Sequence, residues 1–89
     1  MTVADTSLMA YDKVLEKLNH KQRVVLDGFK RYGPITNKEL AKRMGIEINK
    51  ITPRSGELRD QGLIQLVGSR RVDGFFSKVW EAVYIEQLF

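Results

Sequence analysis

The sequence predicts a mainly helical domain that carries a small β-hairpin near its C-terminal end. Three observations lead to this prediction. Apolar residues recur at helical spacing through most of the chain, and capping residues and glycines divide this part into separate helices. After Gly62 the apolar pattern changes from helical to alternating, which is typical of strands.

The composition fits one small globular domain. The chain has 89 residues, of which 43% are hydrophobic and 29% charged, and it contains no cysteine and one histidine. Disulfides, thiolate metal sites and multi-histidine metal clusters are therefore excluded. No apolar run is long enough for a membrane span and no signal segment is recognisable, so we expect a cytoplasmic protein with no metal, cofactor or membrane partner.

The first two helices are marked by an apolar stripe and by a cap. Residues 6–18 are predicted as an amphipathic helix, and we assign residues 1–18 to this N-terminal element. The stripe consists of Leu8, Tyr11, Leu15 and Leu18. Asn19, with Gln22 three residues later, forms a capping box that begins a second helix, and Gly33-Pro34 ends it.

Two shorter helices follow. Thr36 is placed to cap the third helix, Glu39 completes a second capping box, and Gly45 ends the helix. Asn49 is predicted to cap a fourth helix, which Gly62 ends. Two capped helices joined by a tight turn form a helix-turn-helix.

Three short extended segments complete the prediction. Ile35 is a short strand before the third helix, and residues 63–67 and 79–84 alternate as strands. Between them, residues 68–74 are predicted as a loop that contains the turn signal Asp-Gly, and residues 75–78 extend either this loop or the second strand. The predicted order is helix, helix, short strand, helix, helix, strand, loop, strand.

This layout resembles the winged helix-turn-helix superfamily, especially the small phage-type and MarR-like DNA-binding domains. The segments that carry the resemblance are Ile35–Ala41, Ile48–Arg54, Glu57–Ile64 and Ser69–Arg71. The resemblance identifies residues 19–84 as the winged helix-turn-helix domain, with 85–89 as an apolar tail. It implies binding of double-stranded DNA, with the fourth helix in the major groove and the hairpin, or wing, on the adjacent backbone. A transcriptional regulator of phage or bacterial type is the expected role.

The fourth helix supplies the candidate residues for reading DNA. A spacing of 100° per residue turns Ile51, Ser55 and Leu58 toward the core. The side chains left on the flanks and the outer face that we assign to DNA binding are Asn49, Lys50, Thr52, Arg54 and Arg59. For Arg54, an ion pair with Glu57 three residues later is an equally weighted alternative.

The wing and the third helix supply the candidates for phosphate binding. Arg70 and Arg71 are expected at a loop tip, with Lys78 on the returning strand, where they could hold phosphates or enter a narrow minor groove. The alternative is a solvated turn that blunts the edge of the sheet. Lys38 lies on the helix that crosses the DNA backbone in such motifs and could bind phosphate, although a solubilising surface is the favoured explanation for most cations of this helix.

The remaining apolar residues leave partners open. Phe75 and Phe76 allow base stacking, but packing in the core or in a dimer is the favoured prediction. The apolar ends of the chain could also pair between subunits of a homodimer. The net charge of +4 favours a polyanionic partner, while the mixed charge of the fourth helix supports an alternative role as a protein–protein interaction or assembly module within a larger phage or replication complex.

Catalysis is not predicted. The sequence contains no glycine-rich phosphate loop, no ordered catalytic triad and no carboxylate cluster suited to two-metal chemistry. No set of convergent polar residues indicates a small-molecule pocket. We therefore expect a binding protein rather than an enzyme.

Overall fold

The computed structural model describes residues 11–84. Residues 11–16 are helical and are called α1. The other elements are α2 (His20–Tyr32), β1 (Ile35–Thr36), α3 (Asn37–Met44), α4 (Ile48–Asp60), β2 (Ile64–Val72) and β3 (Phe75–Ala82). The fold therefore combines helices with a small antiparallel sheet, in the element order that the sequence predicts. Within the described range, no helix has the length and apolar character needed to cross a bilayer.

The first helix ends earlier than predicted. Its helical residues stop at 16 rather than 18, and the amide of Leu18 then donates to the carbonyl of Leu15 at 3.2 Å in a tighter turn. Leu18 itself is buried in the core. Near the start of the described chain, the Tyr11 hydroxyl donates to the carbonyl of Val83 at 3.1 Å and so joins α1 to the end of the sheet. Residues 6–10 of the predicted helix, and the predicted tail at 85–89, lie outside the described residues.

Both predicted capping boxes are present. The Asn19 side chain accepts from the Gln22 amide at 2.9 Å, and the Gln22 side chain accepts from the Asn19 amide at 3.0 Å. Thr36 and Glu39 make the same reciprocal pair at the start of α3. Gly45 ends α3 with φ of 67°, a left-handed conformation in which glycine meets no Cβ clash. These local signals are strong because each capping box satisfies amides that the helix cannot pair.

The predicted cap of α4 is wrong. The helix begins at Ile48, its N-cap residue is Glu47, and no side chain accepts a hydrogen bond there. Asn49 therefore lies inside the first turn rather than before it. Pro53 consequently sits deeper in the helix than expected, and its missing N–H leaves the carbonyl of Asn49 without the usual helical donor. The apolar face of α4 outweighs this local cost, because Ile51 and Leu58 are fully buried.

The short strand that the sequence predicts at Ile35 pairs with the hairpin, so the sheet has three strands. Its order is β1-β3-β2, and Ile35 of β1 pairs with Trp80 of the central strand. The hairpin is also longer than predicted, since β2 continues to Val72 and the connection contains only Asp73 and Gly74. Both residues have positive φ, 52° and 86°, as a tight hairpin turn of this kind requires. The predicted loop at 68–74 is therefore mostly strand.

One core unites the helices and the sheet. Trp80 of the central strand is 7% exposed and belongs to this core, as do buried side chains from α2, α3 and α4. The closest helix approach is at Gly28, where a Cβ would lie 2.5 Å from Met44 Sδ and 3.1 Å from Leu40 Cδ1. A glycine in the middle of α2 costs about 1 kcal/mol relative to alanine, and here it permits α2 to pack directly on α3.

We expect Gly28→Val to lower the free energy of unfolding by about 2 kcal/mol, because the added methyl groups meet Met44 and Leu40 in a filled core. Asp27→Val on the exposed side of the same helix is the matched control, with an expected change within about 0.5 kcal/mol. Urea unfolding followed by circular dichroism measures both. Equal effects of the two substitutions would contradict the close approach of α2 and α3.

Candidate nucleic-acid interface

The fourth helix separates two clefts. Its inward face carries Ile51, Ser55 and Leu58, which are all buried as predicted. On either side of this face, α4 borders a neighbouring element. One cleft lies between α4 and β3, and the other lies between α4 and α2. The position of each predicted residue relative to these two clefts decides which of them can act together.

The cleft beside the sheet collects four of the predicted DNA-binding residues. We call it the ribbon groove; it is bounded by the start of α3, by α4 and by β3, and its volume is about 460 Å³. The predicted residues that line it are Lys38, Thr52, Arg59 and Lys78. The groove is also lined by residues that were not among the predicted DNA-binding residues, namely Asn37, Ile48, Ser55, Gly56, Ser77 and Trp80. Polar and cationic groups from three separate elements thus share one groove.

The other predicted residues of α4 lie on the opposite side of the helix. Asn49, Lys50 and Arg54 line the cleft between α2 and α4, together with residues such as His20 and Lys21. The structure therefore divides the predicted residues of α4 between two sides of the helix, and their role in DNA binding stays a prediction. With Ile51 and Leu58 turned inward, the spacing of 100° per residue leaves Ile48, Thr52 and Arg59 on the side of the sheet.

Arg54 is held by its own helix. Its Nε lies 2.8 Å from Glu57 Oε1, and its Nη2 donates to Glu57 Oε2 at 3.0 Å. Gln22 of α2 donates to the same carboxylate at 2.9 Å. The ion-pair alternative that the sequence left open for Arg54 is confirmed, and the pair braces α4 against α2.

Arg70 and Arg71 do not lie at a loop tip, as the sequence predicted. Both belong to β2, where Arg70 is opposite Ser77 and Arg71 is opposite Phe76. Because neighbouring strand residues point to opposite faces, the two arginines face in different directions. Arg70 turns to α3, and its Nη2 lies 2.6 Å from Glu39 Oε1. Arg71 is exposed, and its guanidinium lies 5.4 Å from the centre of the Phe76 ring.

Glu39 joins the start of α3 to the hairpin. Its carboxylate accepts from the Thr36 amide at 3.2 Å and from the Thr36 hydroxyl at 3.0 Å, in addition to the contact with Arg70. Partial burial acts to raise the pKa of Glu39, but the hydrogen bonds from Arg70 and Thr36 outweigh it, and the pKa is lowered from its ordinary value. The carboxylate is therefore ionised at neutral pH and serves two structural contacts at once.

The hairpin turn is held against α3 by a second carboxylate. Asp73 Oδ2 lies 2.9 Å from Lys38 Nζ and 3.3 Å from Lys42 Nζ. Hydrogen bonds from these two lysines, first Lys38 and then Lys42, lower the pKa of Asp73. The three side chains are solvent-exposed enough for the contacts to exchange readily with other ions. Lys38 thus lines the ribbon groove and also forms an ion pair with Asp73 of the hairpin turn.

The remaining cations of the groove, Arg59 and Lys78, differ in whether they form an ion pair. Arg59 Nη2 pairs with the neighbouring Asp60 at 3.0 Å, an exposed pair that contributes little to stability. For Lys78, no carboxylate oxygen lies within ion-pair distance among residues 11–84. Ser55 donates to Asn37 Oδ1 at 2.7 Å and so fixes α3 to α4 at the floor of the groove. The groove can therefore receive an anionic ligand beside fixed polar groups.

Phe75 and Phe76 correct another expectation. They are 73% and 76% exposed, so packing in the core of this chain is wrong, while the dimer packing that the sequence analysis favoured beside it stays a prediction. The sequence analysis left residues 75–78 open between loop and strand, and the structure places them in β3. Two consecutive strand residues point to opposite faces and cannot both face one core.

Comparison with known proteins finds no match for the chain among protein-family models, among curated proteins or among solved structures.

Glu39→Gln tests the link between α3 and the hairpin. Because folding lowers the pKa of Glu39, its charge contributes stability above the ordinary glutamate pKa of about 4.3, and this contribution is lost as the pH falls through the folded-state value. The amide can still complete the capping box. We expect a loss of about 0.5 kcal/mol at neutral pH that disappears in acid.

Urea unfolding at about pH 7 and about pH 3 measures this difference, since the two conditions lie on either side of glutamate titration. Glu16→Gln, at an exposed carboxylate of α1, is the control and should change stability little at either pH. A loss that is equally large in acid would mean that the carboxylate charge of Glu39 has no structural role.

Proposed function

We propose that this chain is a winged helix-turn-helix protein that binds double-stranded DNA, with a role in transcriptional regulation of the phage or bacterial type. The observation that carries the proposal is the ribbon groove. Lys38, Thr52, Arg59 and Lys78 line it from α3, α4 and β3. A second support is the order of the elements, since two helices joined by a tight turn and followed by a hairpin are the layout of this class.

The groove suggests a division of roles among its residues. Thr52 and Arg59 lie on the exposed part of α4 and are the candidates for base edges, because a threonine methyl suits thymine and an arginine fork suits guanine. Lys78 and Lys38 flank the helix and are candidates for phosphates. Asn49 and Lys50 lie in the other cleft, so we assign them no direct role in this groove.

Two carboxylates on or beside the hairpin would repel DNA phosphates, and both form ion pairs with cations of this chain. Asp73 is paired with two lysines of α3, and Glu39 is paired with Arg70. Since exposed ion pairs are weak, DNA phosphates can compete with Asp73 for Lys38 and Lys42. The proposal therefore includes an exchange of partners at the hairpin turn when DNA binds.

A role as an interaction or assembly module is the second candidate. The observation that favours it is the exposed apolar surface on the hairpin, where Leu66, Val67, Phe75 and Phe76 all lie open to solvent. Such surfaces often mark protein-binding sites. This candidate predicts binding to a protein partner that is insensitive to loss of the groove cations.

Removal of two groove cations tests DNA binding. We expect Arg59→Ala/Lys78→Ala to weaken binding to a mixed-sequence duplex of about 25 base pairs by roughly tenfold at low salt. The slope of log affinity against log salt should fall by about 1, because Lys78 is the phosphate candidate of the pair and Arg59 is the candidate for base edges. Fluorescence anisotropy between about 50 and about 200 mM salt measures both quantities.

Lys21→Ala/Lys50→Ala is the matched control, because it removes the same charge from the cleft on the other side of α4. Its salt slope should stay close to that of the wild type. Equal weakening by the two double variants would mean that only the overall charge matters. No binding by folded wild-type protein at low salt would favour the interaction module.

Asp73→Asn tests the exchange at the hairpin turn. The substitution frees Lys38 and Lys42 and removes one charge that repels phosphate. We expect duplex affinity to rise by about threefold to tenfold at low salt, and the gain to shrink as salt increases. The same anisotropy titration measures it. Weaker binding by a variant of unchanged stability would indicate instead that Asp73 positions the hairpin for DNA.

A further inference from the structure

The end of the hairpin presents two uncovered aromatic rings. Phe75 and Phe76 are the first two residues after the Asp73-Gly74 turn, and they are 73% and 76% exposed. Being consecutive in β3, they project from opposite faces of the ribbon, which we define as residues 68–78 of the hairpin. Exposing two phenylalanines forgoes a large gain from burial, so a partner that covers them is expected.

The cations around the rings indicate the chemical class of the partner. Arg71 is paired with Phe76 in the ladder, and its guanidinium stacks on the ring at 5.4 Å from the centre. Lys78 is two residues further along β3 and therefore on the same face as Phe76. This face thus combines a flat apolar ring with two cations. Among the described residues, neither Arg71 nor Lys78 forms an ion pair with a carboxylate. The complement of this face is a polyanion that also offers flat apolar surfaces.

We propose that the ribbon stacks on nucleobases through Phe76, with Arg71 beside it on one face, and through Phe75 on the other face, which makes the ribbon selective for DNA containing an unstacked base. This inference rests on the proposed function and deepens it. A phenyl ring stacks on any nucleobase, while the guanidinium of Arg71 can bind the phosphate of the same strand. A regular duplex hides its base faces, so a kinked step or an unpaired nucleotide supplies the ligand.

An anionic membrane offers similar chemistry but fits the geometry poorly. Asp73 lies at the apex of the hairpin, ahead of both rings, so insertion of the tip would carry a carboxylate into the apolar layer first. The rings instead stand sideways from the ribbon, since strand side chains project roughly perpendicular to the sheet. That direction suits stacking on bases that pass alongside the ribbon.

Pairing with a second copy is also less suited to this surface. The two rings occupy opposite faces and do not form one continuous apolar patch. A symmetric contact through the Phe76 face would bring Arg71 and Lys78 toward their own copies, since both partners use the same patch. Repulsion between these like charges opposes such a dimer.

The test compares two oligonucleotides with the full chain. One is a paired duplex of about 25 base pairs, and the other is the same duplex with two unpaired thymines at its centre. Anisotropy at fixed salt gives the ratio of the two affinities. We expect the wild type to bind the bulged duplex roughly tenfold more tightly, since stacking one base contributes on this scale.

Four variants separate stacking from other effects. Phe75→Ala/Phe76→Ala should reduce the ratio to about one while changing affinity for the paired duplex less than about twofold. Phe76→Leu stays apolar but lacks a flat ring, and it should lower the ratio as well. Leu66→Ala removes another exposed apolar side chain of β2 and should leave the ratio unchanged. Arg71→Lys keeps the charge and should lower the ratio partly, because it loses the planar stack.

Each result decides between the proposals. Equal wild-type affinities for the two duplexes, or a ratio unaffected by Phe75→Ala/Phe76→Ala, would overturn the stacking site and leave DNA binding standing. Binding of the bulged duplex alone would support the stacking site and reject duplex DNA as the ligand. Binding of neither would overturn both.

Two parallel measurements address the other partners. Wild-type protein is sedimented with phosphatidylglycerol vesicles, and its mass is measured over a range of concentrations. Vesicle binding or self-association that disappears in Phe75→Ala/Phe76→Ala, with no change in the DNA ratio, would overturn the inference in favour of a membrane or a dimer. Absence of both supports it.

Discussion

The carboxylate of Glu39 attaches the hairpin to the start of α3. This group completes the capping box of α3 with Thr36 and also receives Arg70 from β2 at 2.6 Å. A single side chain therefore defines where α3 begins and where the hairpin lies against it. Asp73 adds a second attachment further along the ribbon through two lysines of α3. Because both attachments are exposed and electrostatic, they are weaker than the core and can respond to an anionic ligand.

The same arrangement explains the character of the ribbon groove. The core holds α3, α4 and the central strand in place through Leu40, Ile51, Leu58 and Trp80. Polar and cationic side chains of these elements then line a shared groove without contributing much to folding. Functional groups on such a rigid frame can be lost with little effect on stability, which allows the binding tests to be interpreted separately from the unfolding tests.

Within the described part of the chain, the hairpin carries two kinds of exposed surface, one charged and one apolar. Charged groups such as Lys78 lie near its base, and the exposed rings of Phe75 and Phe76 lie near its end. A nucleic acid satisfies both, because its phosphates and its bases occur at a regular spacing along one strand. The proposed duplex binding uses the first surface and the proposed stacking site uses the second, so the two can be removed independently.

The sequence by itself determined the local structure. The capping boxes at Asn19 and Thr36, the helix end at Gly45 and the order of the elements follow from contacts within a few residues, whose energetics do not depend on the rest of the chain. Only the tertiary structure decided the start of α4, the pairing of the first strand with the hairpin and the length of the hairpin, because burial of Ile51 and pairing of Ile35 with Trp80 are long-range terms. The candidate site followed the same division. Its residue types were evident, but only the packing of α4 between α2 and the sheet decided which neighbouring residues share a cleft with each of its flanks.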